Sequence, residues 1–469
     1  MDKKTDFKKI MIIFLAIVLL SCFLISRISH SEETPLTIEE CIQLALKNNQ
    51  ELKIASQKLN TVRYTRIQTF GKFFPSLSLT GSYTKLSDVP EIEMAAPELS
   101  YYAPAKGFVI VGYKSSPVEF GGKETISSRV SLTQPIFTGG KIFNAFRQSS
   151  YNYEIAKEDY RRIKENLIFN VKKAFYNVIL AEKFVEISEE AKDVMQKHFD
   201  VTQALYREGK VSSYDVSKVK VQLVNTETNL IKAKNNLELA KKFLFNLINQ
   251  KGIEGRPIKG TLEIEEMEVQ SLEHYIQQAI KNRPEIIQLE YQKKISKTLL
   301  NLAIAENLPN ISIVGNYDYQ KPYYFTDEWT GVWSGMAVLN FPILDGFGIS
   351  NYGKIKSAKS MEEQTKIAKS QIEEAIKLEV EKAYLNLLES EKRILAQKEN
   401  VNTAKENLKI AQERYRLGLL SDIEVRDTQL ALTQAEVNYY QALYDYKIAQ
   451  VELIKDIGAD TESSFNKKH

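Results

Sequence analysis

The sequence has little cysteine, histidine, glycine and proline for a chain of 469 residues. Its two cysteines, Cys22 and Cys41, are too few for a disulfide framework or a cysteine-based zinc site. The four histidines are far apart, and no metalloprotease, nucleophile-elbow, phosphate-loop or dinucleotide-binding motif occurs. We therefore expect no enzyme activity, no bound metal and no cofactor.

Turn-forming residues and blocks of one charge are also scarce. With 20 Gly and 12 Pro, the chain has room for few turns, so long uninterrupted elements are expected. The 63 basic and 60 acidic residues give a formal charge of +3 without a long block of either sign. Nucleic-acid-binding proteins usually carry a basic patch, so we expect no nucleic-acid partner.

The N-terminus has the pattern of an export signal. Lysines between residues 3 and 9 precede an unbroken apolar run from Ile10 to Leu20. Two cleavage sites compete: the residues before Cys22 resemble a lipobox, which predicts lipidation of Cys22, whereas Ser29 to Ser31 fit an ordinary signal peptidase site before Glu32. A retained membrane anchor is the third interpretation. No later apolar stretch reaches the length of a membrane-spanning helix.

The rest of the chain is a tandem duplication. The segment from Leu36 to Leu52 recurs from Gln270 to Ile286 at an offset of 234 residues, and farther along the offset is 209 residues. These offsets predict the following division: export signal, 1–31; first repeat, 36–250; linker or equatorial segment, 251–270; second repeat, 271–458; polar tail, 459–469.

The apolar spacing predicts long helices. From Val219 to Leu247 apolar or small residues recur in alternating steps of three and four, and the same seam returns from Val425 to Leu453. Such a repeat is typical of left-handed coiled-coil packing. A helix from Gly139 to about Glu208 would span about 105 Å. Helices from Leu36 to Phe74 and from Ser212 to Gln250, placed end to end, match that length.

Two short segments in each copy alternate apolar and polar residues, as one-sided strands do. They run from Leu77 to Tyr83 and from Ile126 to Gln134 in the first copy, and from Ile311 to Tyr319 and from Trp333 to Phe341 in the second. Strands of this length with one apolar face and aromatic residues are typical of outer-membrane barrels. Soluble hairpins with one buried face are the alternative interpretation.

The order of these elements resembles the TolC-type outer membrane factors over residues 36–458. The resemblance rests on the duplicated order and on local motifs: the Leu-Thr-Ile-Glu-Glu-Cys opening that ends at Cys41, the Gly-Gly turn between Pro135 and Gly140, and the helix turns at Gly209 and Gly418. It implies a β-barrel in the cell outer membrane that continues into a long periplasmic α-helical tunnel.

The fold class that we expect is mainly α with a membrane β-barrel. One chain supplies only four strands and a bilayer excludes open sheet edges, so the barrel must close by association of several chains. The interior of an eight-stranded barrel from two chains would be filled by side chains, whereas twelve strands from three chains leave a lumen. This predicts a homotrimer with a twelve-stranded barrel and a twelve-column helical tunnel. The insertion from Ser87 to Thr125 is interpreted as an extracellular loop.

The resemblance implies a passive outer membrane duct of a tripartite efflux or type I secretion system. Its partners would be a periplasmic adaptor, an inner-membrane transporter and outer membrane lipid, and its cargo could be drugs, metal ions, peptides or proteins. The alternative hypothesis is a periplasmic coiled-coil scaffold or adaptor without a pore.

The candidate site lies at the two helix turns. Gly209 and Gly418 fit left-handed caps at the helix ends, and by resemblance the turns contact the adaptor. The candidate docking residues are Arg207, Gly209, Lys210, Arg416 and Gly418.

The resemblance also places acidic rings at a closable periplasmic mouth, formed here by Glu424 and Asp427, and we add Asp215 as a further candidate. The competing interpretation is helix capping: Ser212 with Asp215, and Ser421 with Glu424, fit the capping-box spacing. Capping does not account for Asp427, which lies beyond the first turn.

Overall fold

The computed structural model describes residues 35–102, 107–119, 122–264, 268–323, 327–342 and 348–459. The predicted export signal, Cys22 and residues 460–469 of the predicted tail lie outside the described residues. The elements run in this order: α1 (Ile38–Asn48), α2 (Gln50–Gly71), β1 (Ser76–Lys85), β2 (Glu91–Tyr102), β3 (Gly107–Glu119), β4 (Glu124–Phe137), α3 (Lys141–Arg207), α4 (Ser213–Ile248), α5 (Leu272–Asn282), α6 (Pro284–Ala305), β5 (Asn310–Lys321), β6 (Thr330–Asn340), α7 (Ile349–Arg416) and α8 (Asp422–Asp456).

The first predicted helix is interrupted, so the expectation of one helix from Leu36 to Phe74 is wrong. Asn49 ends α1 by donating its backbone N–H to the Ala45 carbonyl, and its side-chain oxygen accepts from the N–H of Leu52 at 3.2 Å, which caps α2. An asparagine side chain that bonds nearby backbone in this way favours a helix boundary. The second copy breaks at the equivalent place, before Pro284, which has no N–H to donate.

The long helices form as predicted. Helix α3 has 67 residues and α7 has 68. Every seam position between Val219 and Leu247, and between Val425 and Leu453, is buried or half-buried. The heptad pattern therefore identified the packed face of α4 and of α8, although both helices also carry large apolar residues elsewhere.

The duplicated strands form one antiparallel sheet in the order β1-β4-β5-β6. Strand β4 of the first copy pairs with β5 of the second, and the register sets Val130 opposite both Leu79 and Tyr317. Large apolar side chains on this sheet are left uncovered by the described residues: Leu79 is 73% exposed and Trp333 is 80% exposed. A face of this kind requires an apolar surrounding or a partner.

The insertion in the first copy is more ordered than the predicted loop. Strands β2 and β3 pair with each other as a separate two-stranded sheet, in which Ile92 lies opposite Val118 and Tyr101 opposite Phe108. Pro97 lies within β2. Both strands are edge strands, so a residue without an N–H can be accommodated on the unpaired side.

The linker between the two repeats contributes one isolated β-bridge among its described residues. Among its described residues, Ile258 forms a parallel bridge with Leu36, and the Leu36 N–H donates to the Pro257 carbonyl at 2.8 Å. The run from Thr261 to Ile264 is not a strand. None of the helices in the described ranges combines the length and apolar character that crossing a bilayer requires.

The chain divides into two compact units, and each takes residues from both sequence repeats. Unit 1 comprises the described parts of Met1–Ala55, Tyr160–Pro284 and Glu373–His469, and unit 2 comprises those of Ser56–Asp159 and Glu285–Ile372. The sheets belong to unit 2, and the turns between α3 and α4 and between α7 and α8 belong to unit 1. The domain division predicted from the sequence follows the two repeats and does not coincide with these two units. It stays a prediction.

Candidate functional site

Two turns with the same backbone geometry connect the long helices of unit 1. Gly209 and Gly418 have φ values of +75° and +71°, in the left-handed region where glycine has no side-chain penalty. The N–H after each glycine reaches back to close the helix: Lys210 donates to the Leu205 carbonyl and Leu419 to the Arg414 carbonyl, both at 2.9 Å. The predicted left-handed caps are confirmed, and we call these two segments, 205–212 and 414–421, the tip turns.

Two of the three acidic candidates cap helices. The Asp215 carboxylate accepts from the backbone N–H and the hydroxyl of Ser212 at 3.0 and 2.6 Å. The Glu424 carboxylate accepts from the same groups of Ser421 at 2.9 and 2.7 Å. The Ser212 hydroxyl lowers the pKa of Asp215, and the Ser421 hydroxyl lowers the pKa of Glu424. Capping therefore accounts for the position and the charge of both carboxylates.

Asp427 has a different environment. Its side chain is 61% exposed and accepts from the neighbouring Arg426 at 3.2 Å. It lies one turn beyond Glu424 on α8, outside the capping box. Of the three acidic candidates, Asp427 is the one whose position no capping bond explains.

The candidate docking residues are all exposed on the tip turns. Lys210 forms an ion pair with Glu208 at 2.7 Å, and Arg416 forms one with Glu413 at 3.6 Å. Arg207 donates to the Gln203 side chain at 3.4 Å. Each of these cations thus lies at the surface beside a local partner. Exchanging that partner for one on another protein costs little free energy, because exposed ion pairs are weak.

A buried polar cluster below the tip turns was not identified in the sequence. His198 Nε2 lies 2.6 Å from Asp422 Oδ1, and Lys218 Nζ lies 3.7 Å from Asp422 Oδ2. The His198 ring packs on Tyr415 with 4.7 Å between centroids, and Thr202 is hydrogen-bonded to the Tyr415 hydroxyl at 3.0 Å. We call these five residues the tip cluster. They come from α3, α4, α7 and α8, so the cluster joins the α3–α4 hairpin to the α7–α8 hairpin.

The tip cluster is well enclosed. The side chains of His198 and Asp422 are 8% and 13% exposed, and Thr202 is fully buried. The hydrogen bond from His198 is the main cause that lowers the pKa of Asp422, whereas burial raises the pKa of Tyr415. The pair therefore consists of an anionic carboxylate and a histidine donor in a largely dehydrated site, where electrostatic interactions are strong.

One sequence signal could have revealed the cluster. At the offset of 209 residues, His198 corresponds to Asn407, Asp422 to Ser213 and Lys218 to Asp427. The tip turns repeat, but the ionisable residues beneath them do not. A charge that is present in only one of two otherwise similar repeats indicates a contact between the repeats. Among the described residues, no three His, Cys, Asp or Glu side chains converge as a metal site.

Comparisons with known proteins agree with this architecture. The family described as "Outer membrane efflux protein" matches residues 41–250 and 275–459. SilC of Salmonella typhimurium, a probable outer membrane lipoprotein, is 22% identical over 438 residues, which cover 90% of this chain and 85% of SilC. TolC of Escherichia coli is 22% identical over 72% of this chain and 70% of its own.

A solved structure shows the same fold. The CmeC outer membrane channel of Campylobacter jejuni has a TM-score of 0.73 at 18% identity, and the match covers 90% of this chain and 85% of CmeC. The resemblance to TolC-type factors, the mainly helical fold with strands of an outer membrane channel, and the outer-membrane location are confirmed. The predicted function as an efflux channel is confirmed as well, and the comparisons do not support a non-pore scaffold. The chain therefore belongs to the outer membrane efflux protein family.

Proposed function

We propose that three copies of this chain form a continuous duct through the outer membrane, which an adaptor protein connects to an inner-membrane transporter. The observation that carries this proposal is the four-stranded sheet, whose outer strands β1 and β6 each have an edge that no described strand pairs. Unpaired backbone N–H and C=O groups cannot remain in hydrocarbon, so the edges must pair with those of other copies.

The exposed side chains of the sheet support the same arrangement. Leu77, Leu79 and Trp333 are 72%, 73% and 80% exposed, which would be costly in water but is expected for residues facing lipid. Twelve strands from three copies leave an open lumen, whereas eight from two copies do not. The detergent-extracted protein should therefore have a native mass of three protomers, and a folded monomer or dimer would contradict the trimer.

A fractionation experiment separates the duct from a periplasmic scaffold. The duct predicts a detergent-requiring, heat-modifiable oligomer in the outer membrane fraction. A protein released with the soluble periplasmic contents, and monomeric without detergent, would contradict it. The double variant Leu79→Asp with Trp333→Asp should fail to assemble, because it places charge on the surface that we assign to lipid.

We further propose that the tip turns, together with the beginnings of α4 and α8 that follow them, form a cation-preferring entrance. In a trimer Glu424, Asp427 and Asp215 would each occur three times around the axis, and acidic rings of this kind attract cations. The exposed position of Asp427, which no capping bond explains, supports its part in the ring. For Glu424 and Asp215 the capping bonds fix the carboxylates but leave them charged and at the surface.

Conductance across a planar bilayer tests the entrance. Glu424→Ala combined with Asp427→Ala should abolish both the cation preference and the block by multivalent cations. Ser421→Ala is the matched control, because it removes the hydroxyl of the capping box while both carboxylates remain, so cation preference should persist. If the double variant keeps the selectivity of the unmodified channel, the acidic ring does not exist and helix capping alone explains Glu424.

The exposed cations of the tip turns are the proposed contacts for the adaptor. Arg207, Lys210 and Arg416 have local, exposed partners, so an acidic adaptor surface can engage them with little loss. Replacing all three with Glu should reduce adaptor crosslinking and export, whereas the folded trimer should persist. Unchanged crosslinking would contradict the docking role.

A further inference from the structure

We propose that a polar cavity in unit 1 is a hydration site, which binds about two water molecules, one of which donates a hydrogen bond to the side-chain oxygen of Gln429. The inference goes beyond the proposed duct and does not depend on it, because the cavity lies within one chain. It assigns a ligand to a buried group that the described residues leave without a partner.

The cavity lies between α3, α4 and α8. Its volume is about 70 Å³. A water molecule occupies about 30 Å³ in the liquid, so the space suffices for about two of them. Its polar lining includes side chains from all three helices: Ser188, Gln222, Thr226, Gln429 and Thr433.

Gln429 is the group that requires a ligand. The residue is 7% exposed, and its Oε1 atom accepts no hydrogen bond from any residue in the described ranges. Its Nε2 donates to the Thr433 hydroxyl at 3.3 Å. Exchanging the amide oxygen and nitrogen would not help, because the Thr433 hydroxyl already donates its hydrogen to the Gln429 carbonyl at 3.0 Å. A buried acceptor without a partner costs free energy, so a donor from outside the protein is expected here.

The other hydroxyl groups of the cavity supply acceptors. Thr226 donates its hydroxyl hydrogen to the Gln222 carbonyl at 2.9 Å, and Ser188 donates its own to the Phe184 carbonyl at 2.7 Å. Each hydroxyl has one hydrogen, so these oxygens offer only lone pairs to a ligand. The ligand must therefore donate hydrogen bonds.

Water fits this wall better than an ion does. An anion has no hydrogen to donate to Gln429 Oε1. A cation would meet the guanidinium of Arg426, which also lines the cavity, and no carboxylate of the described residues lines it to offset that charge. A water molecule donates two hydrogen bonds, so it can connect Gln429 on α8 with a hydroxyl on α3 or α4.

The equivalent positions of the first repeat do not form such a site. At the offset of 209 residues Gln429 corresponds to Lys220 and Thr433 to Val224, and both of these α4 residues are exposed. The burial of an amide at position 429 is therefore a feature of the second repeat and not of the duplication.

Hydroxyl-radical footprinting of the detergent-solubilised full-length chain tests the site. X-ray radiolysis of a bound water produces a hydroxyl radical inside the cavity, where the radical oxidises a reactive side chain nearby. Met195 lines the cavity and is 4% exposed, so its oxidation to the sulfoxide should persist when a radical scavenger is added to the bulk solvent. Met361 is 47% exposed, so the same scavenger should reduce its oxidation several-fold.

Two variants connect this signal to Gln429. Gln429→Leu offers the water no acceptor, so the scavenger-resistant oxidation of Met195 should fall several-fold. Gln434→Leu is the matched control, because Gln434 is exposed on the same helix and its amide bonds Asn438. This control should oxidise Met195 as the unmodified chain does. Peptide-resolved mass spectrometry measures each methionine separately.

Three results would overturn the hydration site. No oxidation of Met195 while Met361 is oxidised would show that the cavity is dry. Oxidation of Met195 that falls with the scavenger as steeply as that of Met361 would show that the radical comes from the bulk solvent. Unchanged scavenger-resistant oxidation in Gln429→Leu would show that Gln429 does not hold the water. If Gln429→Leu does not fold, the two methionines of the unmodified chain still distinguish a bound water from a dry cavity.

Discussion

Gly458 lies directly against the backbone of Arg283, so the end of α8 meets the break between α5 and α6. A methyl group on Gly458 would be 2.9 Å from the Arg283 nitrogen, and the φ value of Gly458 is +66°. The contact joins the last turn of the second repeat to the place where Pro284 interrupts its first helix.

Gly458→Ala should therefore destabilise the fold by about 2 kcal/mol, because left-handed strain adds to a backbone clash. Gly209→Ala is the matched control. It has a similar φ of +75°, but no described atom lies within 4 Å of the added methyl group, so it should cost about 1 kcal/mol. Thermal unfolding of both variants measures the difference. Equal losses would show that the contact with Arg283 contributes nothing.

Asp456 should make stability depend on pH. It is buried near the end of α8, and this burial raises its pKa to about 6, above the ordinary value of 3.8. The folded state thus keeps this proton to higher pH than the unfolded state, so its contribution to stability falls as the pH rises from about 4 to about 6. Asp456→Asn should stabilise the protein by about 2 kcal/mol at pH 8 and have little effect at pH 4.

Melting temperatures of Asp456→Asn and the unmodified protein at the two pH values check this sign. Lys455→Gln serves as a control, because it removes the neighbouring cation that lies 3.7 Å from the carboxylate and should destabilise at pH 8. A loss of stability in Asp456→Asn at pH 8 would show that the carboxylate is stabilising there, contrary to the prediction.

Cys41 should be inert in the folded protein. It is fully buried in α1, and burial raises the pKa of its thiol to about 12. Because the thiolate is the reactive form, maleimide labelling at pH 7.5 should be at least about a hundredfold slower than at an exposed cysteine such as Ser213→Cys. Peptide-resolved mass spectrometry measures both rates. Comparable labelling of the two positions without denaturant would show that α1 opens readily.

The capping box at α4 should contribute measurably to stability. The Ser212 hydroxyl accepts from the Asp215 N–H at 3.2 Å and donates to its carboxylate. Ser212→Ala removes both bonds and should cost about 1 kcal/mol. The adjacent Ser213→Ala changes an exposed helical residue and should cost much less. If both substitutions lower the melting temperature equally, the capping bonds are not the cause.

Most of the architecture can be predicted from the sequence, because repetition and periodicity are local signals. The seam of α4 and α8, the two strand pairs and both tip turns follow from spacing and from glycine placement. The break at Asn49 does not follow from them, because a polar residue inside an amphipathic pattern is usually tolerated; here its side chain bonds the backbone of Leu52.

The sequence shows that the ionisable residues of the tip cluster differ between the two repeats, but it does not show which of them are in contact, because they are distant in sequence. His198 and Asp422 are separated by 224 positions, and their contact depends on how the two hairpins pack. Acidic residues are favoured in the first turn of a helix, and this preference alone is enough to account for Asp422 in the sequence. Only the packed structure shows that this carboxylate has a partner on another helix.

Conductance of the purified full-length protein in a planar lipid bilayer tests the central claim most directly, namely that this chain forms a duct. We predict discrete, long-lived conductance steps with a preference for cations. A correctly folded protein that inserts into the bilayer and passes no ions, at any pH between 5.5 and 8, would contradict the account.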